Sequence, residues 1–364
     1  MPALPFPNPP GFLELIEMRP DERIDAGKVA AALEGRLPGA RGRPEILQFE
    51  GGKANLTYLL RYRAQDGGPL EYVLRRPPLG PVAPRSHDMA REHKVLSRLY
   101  RAYPLAPRAF LYSEDPAVVG APFLVMERRT GIVIRDALPA RFRGRPELCR
   151  RIGEMIVDAM ADLHAVDAQA AGLGDLGRPE GFVERQVQGW AQRWEAARTQ
   201  DVPALDRLTD WLLGSVPPAS RVSLVHNDFK LDNMMLDADD PGTPVAVFDW
   251  DMCTLGDPLV DLGTLLGYWI EPGDPPVRKA FAVMPTEEPG FPTRAEVARR
   301  YGERHGVDVS HIAWYEVFGL WKTAVVCQQI YVRLHRGQTQ DERFRGFGER
   351  ALSLVEAARA LAGI

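Results

Sequence analysis

The sequence predicts an α+β protein in which a strand-rich N-terminal region precedes a larger, mainly helical C-terminal region. Short strand-like runs separated by Gly-rich turns fill the first 125 residues, and long segments with helical periodicity begin at about Thr130. Between Val222 and Trp250 the pattern returns once to short strands. A chain of 364 residues, 45% of them hydrophobic, is long enough for one large domain or two lobes.

The strand-rich region is predicted to be a meander with one helix inserted. Strand-like composition is found in "EILQFE", "LTYLLRYRA", "LEYVLRR", "AFLYSED" and "PFLVMERR". The inserted helix is predicted over "SHDMAREHKVLSRLYRAY", where Met89, Leu96 and Leu99 have helical spacing. Ser86 is the candidate N-cap of this helix.

Amphipathic helices dominate the C-terminal region. In "LCRRIGEMIVDAMADLHAVD", one face is formed by Ile152, Ile156 and Leu163. A second stripe, in "FVERQVQGWAQRWEAAR", includes Trp190 and Trp194. We interpret this stripe as core packing, with one wall of a substrate cleft as the alternative.

Charge and hydrophobicity exclude several classes of protein. The net charge is -4 and the sequence pI is about 6.0, and Arg is interspersed with Asp and Glu, so we expect no nucleic-acid partner. No apolar run reaches the roughly 18 to 20 residues that span a bilayer, and we expect no membrane association.

Cysteine usage favours a reducing compartment. Cys149, Cys253 and Cys327 are odd in number and form no CxxC pair, which argues against a disulfide framework or a zinc site. The Pro-rich N-terminal segment has no basic region followed by an apolar run, so we expect no signal peptide and a cytoplasmic location.

One polar loop stands out because two apolar runs flank it. "HNDFKLDN" follows the strand-like "RVSLV" and precedes "MMLD", after which a turn leads to "PVAVFDWD". A β-hairpin over this segment would bring Asp249 back beside the loop. We therefore expect Asp228, Asn233 and Asp249 to converge; a polar turn capped by Asp and Asn is the alternative.

The spacing of these three residues suits phosphoryl transfer. Such a centre holds Mg²⁺ with oxygen ligands and places a carboxylate against the attacking hydroxyl. Protein kinases use an Asp, an Asn five residues later and a second Asp after a hairpin. On this pattern Asp228 orients or deprotonates the acceptor hydroxyl, while Asn233 and Asp249 hold the metal.

"HNDFKLDN" together with "VFDWDMCTLGDPLVDLG" resembles the aminoglycoside phosphotransferase (APH) and choline-kinase-like family, a branch of the protein-kinase-like fold. The similarity runs from about Gly51 to about His335. The stretch "GFVERQVQGWAQRW" is similar to the subgroup associated with acyl-CoA dehydrogenases. The resemblance implies a bilobal fold: an arm and nucleotide-binding lobe over 1–125, a hinge over 126–130, and a helical lobe with the substrate cleft over 131–364.

The resemblance also assigns residues to the nucleotide. Gly51, Gly52 and Asn55 of "GGKAN" would form the turn over the ATP phosphates, with a plain tight hairpin as the alternative. The backbone that holds the adenine would come from four residues, Met126, Glu127, Arg128 and Arg129.

The strand "YVLR" departs from the kinase pattern. Where the family pattern has a phosphate-binding Lys that pairs with a helix Glu, this chain has Arg75, and the helix Glu is Glu92. Arg76 is the possible substitute for Arg75. Arg is planar and forked, so it does not simply replace Lys.

Further loop residues have weaker assignments. Lys230 matches the position from which many protein kinases contact the γ-phosphate, so it is assigned to catalysis, with a solvated Lys as the alternative. His226 is expected to shape the loop through backbone hydrogen bonds. Asp251 is a candidate for a further metal contact or for a surface role.

These observations predict a phosphotransferase that uses ATP or GTP with Mg²⁺ and acts on a hydroxyl of a small molecule. The subgroup resemblance points to a hydroxyacyl-CoA or a hydroxy acid. The alternatives are an aminoglycoside- or macrolide-type antibiotic kinase, and a non-catalytic nucleotide-binding pseudokinase suggested by Arg75. We expect a monomer or a homodimer.

Overall fold

The computed structural model describes residues 15–50, 55–78, 88–339 and 342–364. Its strands in these ranges are β1 Leu15–Ile16, β2 Glu45–Phe49, β3 Leu56–Arg63, β4 Pro69–Arg76, β5 Ala109–Ser113, β6 Phe123–Glu127, β7 Ser223–Val225, β8 Met234–Leu236, β9 Pro244–Val247 and β10 Thr254–Gly256.

The helices in the same ranges are α1 Ala26–Leu33, α2 Met89–Leu99, α3 Pro116–Val119, α4 Pro146–His164, α5 Phe182–Ala197, α6 Pro203–Gly214, α7 Leu259–Tyr268, α8 Pro276–Lys279, α9 Arg294–His305, α10 Ile312–His335 and α11 Phe347–Ala362. Within the described part of the chain, none of them combines the length and apolar character needed to cross a bilayer.

The chain folds into two compact units, and the first contains Met1–Val133, Ala171–Leu173 and Asn233–Cys253. Its main sheet is antiparallel, with the strand order β1-β2-β3-β4-β6-β5. Tyr58 and Phe123 are fully buried in the core on this sheet.

Helix α2, inserted between β4 and β5, begins two residues later than the predicted cap would place it. The short helix α3 is also inserted, between β5 and β6, where the prediction had one helix. The Asp88 side chain accepts a hydrogen bond from the Arg91 amide and caps α2. The predicted cap, Ser86, lies outside the described residues.

The hairpin of β8 and β9 also belongs to the first unit. Leu236 bridges to Ile132, and the Val247 amide donates to the Leu105 carbonyl at 2.8 Å. Strand β9 ends at Val247, so Asp249 and Asp251 follow the strand rather than extend it. The hinge at 126–130 remains a prediction from the sequence.

The second unit contains Ile134–Ala170, Gly174–Asp232 and Thr254–Ile364. It is mainly helical, with β7 and β10 as a short antiparallel pair. Trp190 and Trp194 are buried, which confirms the core interpretation of their stripe.

Helices α7 and α10 approach each other through two glycines. A Cβ on Gly263 would lie 2.3 Å from the Tyr315 carbonyl oxygen, and one on Gly319 would lie 2.5 Å from the Gly263 oxygen. Real Cβ atoms essentially never come this close to backbone, so only Gly fits at this crossing. The crossing matters for the site, because both helices contact the loop after β7.

We predict that Gly319→Ala destabilises the protein by roughly 1–3 kcal/mol, the usual cost of overpacking a core. The matched control is Gly189→Ala on α5, where an added Cβ meets nothing within 4 Å. This control should be neutral or slightly stabilising, because Ala is the better helix former. Urea unfolding measures both variants. Equal stability of the two would contradict the close crossing.

Candidate active site

Asp228 lies in the loop that follows β7, and two side chains bind its carboxylate. Lys230 contacts the Asp228 Oδ2 at 2.7 Å, and the Tyr268 hydroxyl donates to Oδ1 at 3.1 Å. The Lys230 ammonium also lies 5.2 Å from the centre of the Tyr268 ring. Both carboxylate oxygens of Asp228 therefore have a defined partner, and Lys230 lies within the same cluster.

The charges around Asp228 keep its carboxylate ionised at neutral pH. Burial raises the pKa of Asp228, but the charge and hydrogen bond of Lys230, together with Lys322 and His226, hold it below its ordinary value. Burial would lower the pKa of Lys230, and Asp228 raises it overall. An ionised carboxylate is the form that can accept a proton from a hydroxyl.

The backbone of the loop is held by Asp261 on α7. Its two carboxylate oxygens accept hydrogen bonds from the amides of His226 and Asn227, each at 2.6 Å. His164 lies 3.1 Å from the same carboxylate, and its other ring nitrogen is 2.6 Å from the Tyr301 hydroxyl. Burial raises the pKa of Asp261, but the bond from His164 and the nearby histidine charges lower it overall.

His226 contributes to the loop through its ring, as expected. Its Nδ1 accepts a hydrogen bond from the Asp228 amide at 3.3 Å. The ring is fully buried and packs edge-on against Phe229. This geometry shapes the loop and leaves Asp228 as the group with the chemistry of a base.

A second cluster, in the first unit, joins Arg75, Glu92 and Asp249. Arg75 forms a salt bridge with Glu92 and a second one with Asp249 at 3.0 Å. Glu92 is completely buried, and burial raises its pKa to about 7 against the opposing charge of Arg75. The predicted Arg–Glu pair is thus formed, and it extends to the acid assigned to the metal.

Arg76 faces the opposite side of β4. Its guanidinium donates to the Tyr58 hydroxyl and to the carbonyls of Glu22 and Val119. Successive strand residues point to opposite faces, so only one of the two arginines can meet α2. That residue is Arg75.

Asn233 and Asp249 are brought together by the β8–β9 hairpin. The Phe248 amide donates to the Asn233 carbonyl at 2.8 Å, and Met234 pairs with Val247. Asp249 has a left-handed backbone, with φ of 70°, which is uncommon for a residue other than Gly. Strained conformations of this kind are concentrated at functional sites.

The donor atoms of Asn233 and Asp249 suit Mg²⁺ held jointly with a nucleotide. Across the described ranges, no group of three or more His, Cys, Asp or Glu side chains could hold a metal by itself. Mg²⁺ commonly takes one or two carboxylates from protein and completes its shell with phosphate oxygens and water. One amide oxygen and one carboxylate fit that arrangement.

The other predicted nucleotide residues lie in the first unit. Gly51 and Gly52 lie outside the described residues, and Asn55 is buried just before β3. Met126 and Glu127 end β6. The remaining two predicted hinge residues follow, with Arg128 over the Phe49 ring and Arg129 paired with Glu127 at 3.0 Å. Nucleotide contact by these residues remains a prediction.

Two residues that act on Asp228 were not identified from the sequence. Tyr268 lies seven residues after Asp261, which places both on one face of α7, so helical spacing could have indicated it. Lys322 is buried in an apolar part of α10, where an unexplained charge is itself a signal.

Comparison with known proteins identifies the family of the chain. Residues 45–297 match the family model described as "Phosphotransferase enzyme family". The "Acyl-CoA dehydrogenase family member 10" of Mus musculus is 32% identical over 335 residues. That match covers 90% of this chain and 30% of the mouse protein, so the chain spans less than a third of this relative's length.

Solved structures confirm the predicted α+β bilobal, protein-kinase-like fold. A protein from Ralstonia eutropha JMP134, provisionally assigned as an aminoglycoside phosphotransferase, is 28% identical with a TM-score of 0.78, covering 94% of this chain and 99% of that one. The choline kinase of Cryptosporidium parvum Iowa II has a TM-score of 0.61 at 12% identity, covering 92% and 96%, and shares the fold alone.

The family model covers well over half of the chain, and the predicted catalytic Asp lies in a matched segment with its carboxylate ionised and hydrogen-bonded. The chain therefore belongs to the phosphotransferase enzyme family, whose members include small-molecule kinases that use ATP and transfer phosphate to hydroxyl groups.

Proposed function

We propose that this kinase transfers the γ-phosphoryl group of ATP, or of GTP, to a hydroxyl of a hydroxyacyl-CoA or of the corresponding hydroxy acid. One observation carries the catalytic part of the proposal: the Asp228 carboxylate is ionised and held by Lys230 and Tyr268. An ionised carboxylate with both oxygens held in place can orient the acceptor hydroxyl and accept its proton.

In the proposed reaction, the acceptor oxygen attacks the γ-phosphorus as the bond from that phosphorus to the leaving nucleoside diphosphate breaks. The acceptor's proton passes to the Asp228 carboxylate. Lys230, beside Asp228, would neutralise charge on the phosphoryl group in transfer. Positioning and charge compensation supply most of the catalysis in such reactions.

On the nucleotide side, Arg75 would contact the phosphates from its position between Glu92 and Asp249. Asn233 and Asp249 would hold Mg²⁺, which when bound neutralises charge on the β- and γ-phosphates. We assign the phosphate turn to Gly51, Gly52 and Asn55. The adenine would be held by the backbone of 126–129.

The acyl acceptor is supported by a relative and by charge. The mouse relative is named for an acyl-CoA dehydrogenase family, and this chain matches only part of it. The charges around Lys322 beside Asp228 are the carboxylates of Asp228 and Asp261 and the cations Lys230 and Arg193. Together with the ammonium of Lys322 they leave no excess of negative charge, so this is not the acidic cleft that an acceptor with several ammonium groups would require.

The non-catalytic alternative loses its one support. Arg75 makes the contact with Glu92 that is expected of the missing Lys, so the presence of Arg at this position does not by itself favour a binding-only protein. The contacts of Lys230 and Tyr268 with the Asp228 carboxylate support the catalytic hypothesis over the binding-only one.

We also propose a cytoplasmic location and a monomer or homodimer. All three cysteines are buried, and none of them forms a disulfide. Reduced thiols fit a reducing compartment.

We predict that, with ATP and Mg²⁺, the protein phosphorylates 4-hydroxypentanoyl-CoA, phosphorylates free 4-hydroxypentanoic acid more slowly, and leaves kanamycin, erythromycin and choline unmodified. Mass spectrometry of the acceptor, with release of ADP as a second readout, measures the transfer. Preferred phosphorylation of kanamycin or erythromycin would overturn the acyl assignment. Nucleotide binding without transfer to any acceptor would instead favour a binding protein.

We predict that Asp228→Asn lowers kcat about 10²–10⁴-fold, the usual contribution of a general base, while the KM for ATP changes little. Asp232→Asn is the matched control, since Asp232 lies in the same loop but pairs with the exposed Arg135 at 2.9 Å. The control should keep its turnover. If Asp228→Asn were as active as Asp232→Asn, the proposed mechanism would be wrong.

A further inference from the structure

Lys322 lies in the middle of α10 and is almost fully buried, with 4% of its surface exposed. Its ammonium donates a hydrogen bond to the backbone carbonyl of Asn227, the residue immediately before Asp228. The same nitrogen lies 5.7 Å from the centre of the Trp190 ring on α5, which is a cation–π contact. Lys322 therefore links helices α10 and α5 to the residue that precedes Asp228. We call the loop after β7, residues 226–233, the catalytic loop.

Packing alone does not account for a lysine at this position. The neighbouring Leu320, Trp321 and Ala324 are fully buried. Burial lowers the pKa of Lys322 to about 8, against the opposing charges of Asp228 and Asp261. A methionine would fill a similar volume without the desolvation of a charge.

The backbone of Asn227 is held from both sides. Its φ of 69° lies in the left-handed region, which residues other than Gly seldom adopt. Its amide donates to Asp261 on α7, and its carbonyl accepts from Lys322 on α10. The direction in which the chain enters Asp228 is therefore fixed by two charged side chains.

We propose that Lys322 is a positioning residue for phosphoryl transfer: its hold on the Asn227 carbonyl keeps the Asp228 carboxylate oriented toward the acceptor hydroxyl. The inference rests on the proposed function, in which Asp228 accepts the proton of that hydroxyl. Lys322 acts through the loop, so its loss should lower kcat and leave nucleotide binding intact.

The charges facing Lys322 predict how activity depends on pH. They are Asp228 and Lys230 from the loop, Asp261 from α7 and Arg193 from α5. The two carboxylates favour the ammonium form and the two cations disfavour it. As the pH rises above about 8, Lys322 loses its proton and its charge-assisted bond to Asn227 weakens. Turnover should then decline, and an arginine, which stays charged, should remove that decline.

The test compares Lys322→Met, Lys322→Arg and Gln328→Met as full-length proteins with ATP and 4-hydroxypentanoyl-CoA. Gln328 is a matched control, since it is a buried polar residue on α10 that donates to the Ala197 carbonyl and not to the loop. We expect Lys322→Met to lose about 10²-fold in kcat, the effect of a misplaced catalytic group, with the KM for ATP unchanged. Gln328→Met should match the wild type.

We further expect Lys322→Arg to keep activity and to lack the alkaline decline of the wild type near pH 8. This second variant keeps the test decisive if Lys322→Met does not fold. A kcat of Lys322→Met within about twofold of the wild type would overturn the inference, since no transition-state interaction would have been lost. So would an alkaline decline in Lys322→Arg equal to that of the wild type.

Asp228→Asn, measured in the same assay, separates the two proposals. If Asp228→Asn retains turnover, the proposed function has failed and the positioning role fails with it. If Asp228→Asn is inactive and Lys322→Met is as active as the wild type, only the positioning role is wrong.

Discussion

One buried carboxylate, that of Asp261, organises the catalytic loop. It accepts the amide hydrogens of His226 and Asn227 from the first turn of α7, and His164 holds it in place from α4. Hydrogen bonds to an ionised acceptor are roughly twice as strong as neutral ones. Because the carboxylate is fully buried, water does not compete for it. The loop is thus fixed by its backbone, and its side chains are left for chemistry.

One face of helix α7 contacts both the backbone and a side chain of the catalytic loop. Asp261 at its start holds the loop backbone, and Tyr268 at its end binds the Asp228 carboxylate. Close contact between α7 and α10 at Gly263 and Gly319 places the backbones of the two helices against each other. A loop held by two helices in direct contact can keep Asp228 in one orientation.

The cluster of Arg75, Glu92 and Asp249 follows a different principle, because there the residues held in place are themselves charged. Arg75 lies between Glu92 and Asp249, and it satisfies two acids at once. Buried ion pairs contribute little net stability, since desolvation offsets their attraction. Their value is geometric: the pair fixes Arg75 and Asp249 before any nucleotide binds.

The sequence was sufficient for the parts of the site that are local. Asp228, Lys230 and Asn233 lie within six consecutive residues, so their proposed roles could be assigned from spacing and from the family resemblance. The sequence could not decide whether Arg75 or Arg76 pairs with Glu92. That depends on which face of β4 lies against α2, and only the fold shows this. The contact of Lys322 with Asn227 joins residues 95 positions apart, so no local pattern could show it. The sequence did not identify Asp88 as the N-cap of α2, because Ser and Asp are both favoured N-cap residues and Ser86 lies two positions earlier.

Amide hydrogen exchange of the catalytic loop tests the central claim, that Asp261 holds the loop backbone, most directly. In the wild type, the amides of His226 and Asn227 should be strongly protected, although they lie in a loop. In folded Asp261→Asn, these two amides should exchange much faster, while the amide of Leu224 in β7 keeps its protection. Unchanged protection of His226 and Asn227 in that variant would contradict the claim.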